Sequence, residues 1–135
     1  MNDQYAAWDP SAPGITFSLS AGRITLFLRT LELLEYPEFF RFLFNPETGM
    51  FAVQTCSIDD EGAKRLPTMK PEEAVGIKIM DLVKVVYSSR NWNRRISYRA
   101  EGRFYPSECL VSFDLAAAYE IHEGRMKEAE QKTDA

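Results

Sequence analysis

Residues 39–56 constrain this chain more than any other stretch. Phe39 to Phe44 is a dense run of aromatic and aliphatic side chains with high β-propensity. Asn45-Pro46-Glu47-Thr48-Gly49 follows, and it reads as a turn because proline presets its backbone angle and glycine accepts positive φ. Met50 to Cys56 is then the return strand of a β-hairpin. A single hairpin is marginal alone in water, so the rest of the chain must supply sheet partners and a covering layer.

The flanking pattern supplies both. Ile15, Phe17 and Leu19 alternate with Thr16, Ser18 and Ser20 as a half-buried strand. Ala21-Gly22 is a turn signal, and Arg23 to Phe27 predicts a second strand. Leu28 to Tyr36 carries Leu28, Leu31 and Leu34 at helical spacing, and Pro37 ends that helix. The same order then returns. Gly76 to Met80 predicts a strand, with Asp81 as N-cap. A helix follows with Leu82, Val85, Val86 and Ser89 on one face, closed by Asn91-Trp92-Asn93. Arg95 to Tyr105 is extended, Pro106-Ser107-Glu108 turns, and Cys109 to Leu115 returns with Val111, Phe113 and Leu115 on one face. Ala116 to Ile121 predicts a short helix.

The two halves repeat at an offset of roughly 54 to 60 residues. Their sequence identity is negligible, so the repeat rests on element order. The expected fold class is α+β: two strand–helix–hairpin units, 14–56 and 76–115, packed as one antiparallel-sheet domain or an intrachain pseudo-dimer. Residues 1–13 read as an irregular arm in which Trp8 pins the chain to its own body, with a partner surface as the alternative. Residues 57–75 read as a polar connector with one helical turn at Pro71–Val75. Residues 122–135 read as a charged, disordered tail.

Composition narrows the function classes. With 16 basic and 20 acidic residues the net charge is −4, which gives no global attraction to nucleic acid or anionic membranes. No stretch approaches the ~20 apolar residues of a membrane span, and no basic flank precedes an apolar run at the N-terminus. The expectation is a cytoplasmic chain with no membrane partner. Cys56 and Cys109 form no metal or redox spacing and are expected as buried, inert thiols.

No catalytic or metal set is visible. His122 is the sole histidine, and no Ser or Cys has a neighbouring base in sequence. One histidine and two separated cysteines make no metal spacing. Asp59-Asp60-Glu61 reads as a solvated acidic loop rather than a cation site. Glycine-rich phosphate loops are absent. The expectation is a protein without enzymatic activity or cofactor.

The segment that stands out is Arg90, Arg94, Arg95, Arg99 and Arg103, interleaved with Trp92, Tyr98 and Tyr105: five arginines in fourteen residues of an acidic chain. Arginine offers forked donors suited to phosphate and stacks on bases. On an extended strand Arg95, Arg99 and Arg103 would share one side as a basic ribbon. The competing reading is an ion-paired solvent face opposite Glu101 and Glu108. Arg23 and Arg29 form a second basic pair around the first helix.

Ser20-Ala21-Gly22-Arg23-Ile24-Thr25-Leu26, the helix ending Leu33-Leu34-Glu35-Tyr36-Pro37, Phe42-Leu43-Phe44-Asn45-Pro46-Glu47 and Met50-Phe51-Ala52-Val53 together resemble the AbrB/MraZ-type swapped-hairpin DNA-binding domains. The resemblance covers residues 15–56. Such domains commonly open the helix with proline and a basic residue, whereas Phe27-Leu28 stands here, leaving Arg23 and Arg29 as the matching basic positions. The resemblance implies a nucleic-acid-binding regulator that is a homodimer or an intrachain pseudo-dimer. The candidate contacts are Arg23, Arg29, Arg90, Arg94, Arg95, Arg99 and Arg103 with Trp92. The alternative is a protein–protein interaction module or dimeric scaffold, with Phe40, Phe42 and Phe44 as its interface.

Overall fold

The computed structural model describes residues 11–67 and 74–121. Its elements run β1 (Gly14–Ser18), β2 (Arg23–Leu26), α1 (Leu28–Leu33), β3 (Phe39–Asn45), β4 (Met50–Thr55), β5 (Lys64–Arg65), β6 (Val75–Lys78), α2 (Met80–Arg90), β7 (Ser97–Tyr105), β8 (Leu110–Asp114) and β9 (Tyr119–Ile121). Every strand pair is antiparallel, in the order β5-β3-β4-β8-β7-β1-β2-β6, with β9 also on β7. The sheet is a half-barrel, and the chain is richer in strand than the expected balance of helix and sheet.

The excess strand comes from two places. The connector contributes β5, which pairs Arg65 with Phe39 and Lys64 with Phe40. Ala116 to Ile121 is not a helix: a 3-10 turn at Leu115–Ala117 leads into β9. The reason lies in β7. Its C-terminal half pairs with β8, and Ser97–Arg99 still offers edge backbone groups, which β9 satisfies after the short interruption. A helix there would leave them unpaired.

Alternation builds one core. Ile15 and Phe17 of β1, Ile24 and Leu26 of β2, Phe40 of β3, Phe51 and Val53 of β4, Ala100 of β7, and Val111 and Phe113 of β8 are all buried on one face. Phe51 sits at its centre, edge-on to Phe17 at 5.0 Å and tilted against Phe42 and Phe44 at 5.5 and 5.8 Å. Each fully buried ring of this size contributes about 1.5–3 kcal/mol through burial, and each edge contact roughly 0.5–1.5 kcal/mol more.

Local chemistry sets the turns. Asn45 Oδ1 accepts the amides of Glu47 and Thr48 at 3.0 and 3.3 Å, and Gly49 adopts φ +80°. The Arg90 guanidinium lies against Gly49 and donates to the Pro46 carbonyl at 3.0 Å, so α2 clasps this hairpin turn. Helix α2 departs from expectation in two respects. Ile79, not Asp81, is the N-cap, and Asp81 lies in the first turn, where its charge suits the helix dipole. The buried face is Val83, Val86 and Tyr87, while Val85 is 50% exposed. The Tyr87 hydroxyl is shared between the carbonyls of Phe17 and Ile96 (3.0 and 2.6 Å), which fixes the rotation of the helix on the sheet.

The cysteines also differ from expectation. Cys109 is exposed, because it closes the 3-10 turn Pro106–Glu108 at φ +50° instead of continuing a strand. Cys56 lies one residue beyond β4 and is half-buried. Trp8, the tail from His122 and most of the expected helical turn at Pro71–Val75 lie outside the described residues, and Val75 begins β6. Among the described residues no helix is long and apolar enough to cross a membrane.

Candidate nucleic-acid interface

One end of the sheet gathers cationic side chains. There β1 ends at Ser18, opposite Arg23 of β2, which is opposite Lys78 of β6. Helix α2 and the turn into β7 lie at the same end, since β6 leads into α2 and Phe17 pairs with Tyr98. Residues 74–100 hold six basic residues against one acidic residue in a chain of net charge −4. Lys78, Lys84, Arg94 and Arg95 are all exposed.

The turn presenting Arg94 and Arg95 is tightly built. Asn91 takes a left-handed conformation at φ +54°, and the Trp92 amide reaches back to the Tyr87 carbonyl at 3.0 Å. That six-to-one bond ends the helix in a Schellman-type closure. Asn93 Oδ1 accepts the Arg95 amide at 2.9 Å, the Asn93 carbonyl accepts the Ile96 amide at 3.1 Å, and the Tyr98 hydroxyl accepts the Asn93 amide at 2.9 Å. The Trp92 indole stacks on Tyr98 at 4.2 Å and 15°, and meets Phe17 and Tyr87 edge-on at 5.6 and 5.2 Å. Two arginines are thus held on a short rigid turn beside an immobilised aromatic ring.

Between this turn and the β1–β2 turn lies a cavity of about 380 Å³. Leu19, Tyr87 and Trp92 form its apolar wall, and Lys84, Ser88, Asn91 and Arg94 its polar rim. Two cations, a hydroxyl and an amide facing one concavity can hold an anion and orient what is attached to it.

The remaining arginines are dispersed. Arg29 donates to the Ser11 carbonyl at 3.1 Å and stands 3.6 Å from Glu32, away from α2. Arg90 serves the hairpin clasp. Arg95 precedes β7, so the expected three-arginine ribbon reduces to Arg99 and Arg103, with Glu101 between them on the same face. Arg99 covers the Phe27 ring at 4.2 Å. Arg103 is exposed beside Glu101, Ser112 and Asp114 around a second cavity of about 400 Å³. Neighbouring Tyr119 has its phenol pushed above its ordinary pKa by burial, with Arg99 opposing and Glu101 adding to that shift.

Phe40, Phe42 and Phe44 face inward: Phe40 is fully buried, and Phe42 and Phe44 pack partly buried against the core. The outward side chains of that hairpin are Arg41, Leu43, Met50 and Gln54. Arg41 grips Gln54 Oε1 through two donors at 3.1 and 2.9 Å. Leu43, Met50 and Leu110 border a shallow apolar cavity of about 350 Å³. Asp59 and Glu61 are exposed, and Asp60 accepts the Ser57 amide at 2.8 Å as part of the same turn. Among the described residues no group of three or more His, Cys, Asp or Glu side chains converges to hold a metal.

Reasoning from arginine density alone passes over Lys78, Lys84, Ser88 and Asn91. The Asn91-Trp92 pair signals where α2 ends, and hence that Asn91 and Arg94 flank its C-terminus, but not which way Lys84 and Ser88 point. Comparison with protein-family models, with curated proteins and with solved structures finds no match.

Proposed function

We propose that this chain is a non-enzymatic protein that binds nucleic acid at the α2 end. The observation that carries the reading is a local excess of basic residues in an acidic chain: Lys84 and Arg94 rim one cavity, Arg95 follows Arg94, and Arg23 pairs with Lys78 across β2 and β6. A local excess of basic residues is the electrostatic footprint that phosphate backbones attract. The test is binding of mixed-sequence duplex and single strands across a salt series. Affinity should fall steeply as salt rises, with a slope set by the number of phosphates neutralised. Absence of binding to either form at roughly 50 mM salt defeats the reading.

We further propose that the two halves are copies of one swapped-hairpin unit of the AbrB/MraZ kind, folded as an intrachain pseudo-dimer. The pairing pattern supports this. Strand β2 pairs with β6 and β4 with β8, each antiparallel, as equivalent strands across a two-fold axis must. Strand β1 lies on β7, and β5 occupies the corresponding place on β3. On this reading the first unit lends β1 to the second hairpin, and the connector lends β5 to the first.

A second reading is self-association through the outer face of β3, β4 and β8. Leu43 and Met50 are 39% and 40% exposed there, beside Leu110. Sedimentation at micromolar concentration, with Leu43→Glu as the comparison, decides it: a monomer in both proteins removes this reading.

A further inference from the structure

We propose that the cavity between the β1–β2 turn and the C-terminal end of α2 is a subsite for one unpaired nucleotide. Lys84 and Arg94 would hold its phosphate, Asn91 and Ser88 its sugar or base edge, and Leu19 and Trp92 its base. The proposal rests on the nucleic-acid reading above and narrows it to unpaired nucleotides, either free or within a single strand.

The division of chemistry around the cavity supports this. One side is cationic and exposed, with Lys84 on the outer face of α2 and Arg94 on the turn beyond it. The other side is apolar and fixed. Leu19 and Tyr87 are buried, and Trp92 is half-buried under three aromatic contacts. An inorganic anion needs only the first side. A duplex presents phosphates on a convex surface with its bases stacked inward, so it cannot bring a base to the second side. A nucleotide with an unstacked base uses both, in the way aromatic platforms beside cationic grooves take single strands. The volume of about 380 Å³ lies within the range of small-ligand pockets. Little ordering is left to be done on binding, because Asn93, Tyr98 and Tyr87 already fix the turn.

The test is Trp92 fluorescence in the full chain carrying Trp8→Phe, which leaves a single tryptophan. Adenosine and uridine 5′-monophosphates should quench it saturably. Ribose 5-phosphate and inorganic phosphate should bind at least about tenfold more weakly, because they lack the base. Lys84→Ala with Arg94→Ala should weaken nucleotide binding by about tenfold or more with the far-ultraviolet dichroism unchanged. A single strand should compete with the monophosphates, and a duplex should not. Equal binding of ribose 5-phosphate and the nucleotides would reduce the site to an anion site and overturn the proposal, as would no quenching at about 10 mM nucleotide. The two readings fail separately. Nucleotide quenching without strand or duplex binding keeps the subsite, for free nucleotides, and defeats the nucleic-acid reading. Duplex binding lost on Arg23→Ala with Lys78→Ala, without nucleotide quenching, keeps the nucleic-acid reading and defeats the subsite.

Discussion

Helices α1 and α2 both hand the chain to a hairpin through the same backbone device, and the side chains around the two devices carry opposite charge. After α1 the Glu35 amide bonds the Glu32 carbonyl at 3.0 Å and the Tyr36 amide the Leu31 carbonyl at 2.9 Å. After α2 the Asn91 amide bonds Ser88 at 3.2 Å and the Trp92 amide bonds Tyr87 at 3.0 Å. Leu31 and Tyr87, whose carbonyls accept the second bond of each closure, are both buried. Yet residues 27–38 hold one basic and three acidic side chains, and residues 79–96 hold four basic and one acidic. Folding needs the closure and the buried anchor, and it is indifferent to the sign of the exposed charge. A charge difference that the fold does not require is free to serve binding. The aromatic that follows each closure makes the same point: Tyr36 is 40% exposed, whereas Trp92 is packed on Tyr98 and turned to a cavity.

The largest expected effect tests whether the two halves are one cooperative body. Phe51→Ala should destabilise the protein by about 3–5 kcal/mol, as for a large aromatic removed from a packed core. Phe51 lies in the first hairpin but touches Phe17, which touches Trp92. Unfolding followed by Trp92 fluorescence, again with Trp8→Phe, and by backbone dichroism should therefore shift together in denaturant. Separate transitions would mean that the two connections belong to independently folding halves, and the comparison between them would lose its basis.

The next effect concerns charge. Lys84→Glu with Arg94→Glu should lower single-strand affinity by about tenfold or more at low salt and flatten its salt dependence by roughly one phosphate contact. Glu35→Lys with Glu38→Lys, around the first connection, should change affinity by less than about threefold, because neither residue lines the cavity beside Trp92. A comparable gain from the second pair would show that net charge, not the α2 end, governs binding.

What could be read in advance divides along local and long-range lines. The first hairpin is expected at 39–44 and 50–56 and is found at Phe39–Asn45 and Met50–Thr55, because Asn45, Pro46 and Gly49 encode their turn locally, before Arg90 clasps it. The inward set Val111, Phe113 and Leu115 follows from alternation alone. Strands β5 and β9 were invisible because two and three residues carry no periodicity, and only the open edges of β3 and β7 make them strands. The rotation of α2 depends on where the Tyr87 hydroxyl finds its carbonyls, which no helical wheel contains. The arginine cluster was legible as a density of charge. Its division among a clasp, a turn and a strand was not, since each direction depends on a partner distant in sequence.

A smaller effect compares the backbone strain of the two closures. Glu35 and Tyr36 both adopt positive φ, +59° and +48°, whereas Asn91 alone does so after α2. Asparagine visits that region routinely, whereas glutamate enters it at a steric cost. Glu35→Gly should therefore raise stability by about 0.5–1 kcal/mol, seen as a higher melting temperature. Asn91→Gly should stay within about 0.3 kcal/mol of the parent. Equal gains at both positions would show that the first closure stores no more strain than the second.

The smallest effect compares the far ends of β4 and β8, where the two cysteines sit. Cys109 is exposed in its turn, and Cys56 is half-buried after β4. Burial pushes the Cys56 thiol above its ordinary pKa, the Asp60 carboxylate adds to that shift, and Arg41 opposes it. The thiolate is the reacting form, so at pH 8 Cys56 has a smaller reactive fraction than an ordinary thiol. Its alkylation should keep accelerating as pH climbs past the usual thiol value of about 8.5. Iodoacetamide followed by peptide mass mapping should label Cys109 before Cys56. Asp60→Asn removes a negative neighbour while its side-chain oxygen can still accept the Ser57 amide, and should speed Cys56 labelling by about two- to threefold. Arg41→Gln removes the opposing cation and should slow it. Faster labelling of Cys56 than of Cys109 in the parent protein would mean that the β4 end opens in solution, and that the first hairpin, not the second, is the looser of the pair.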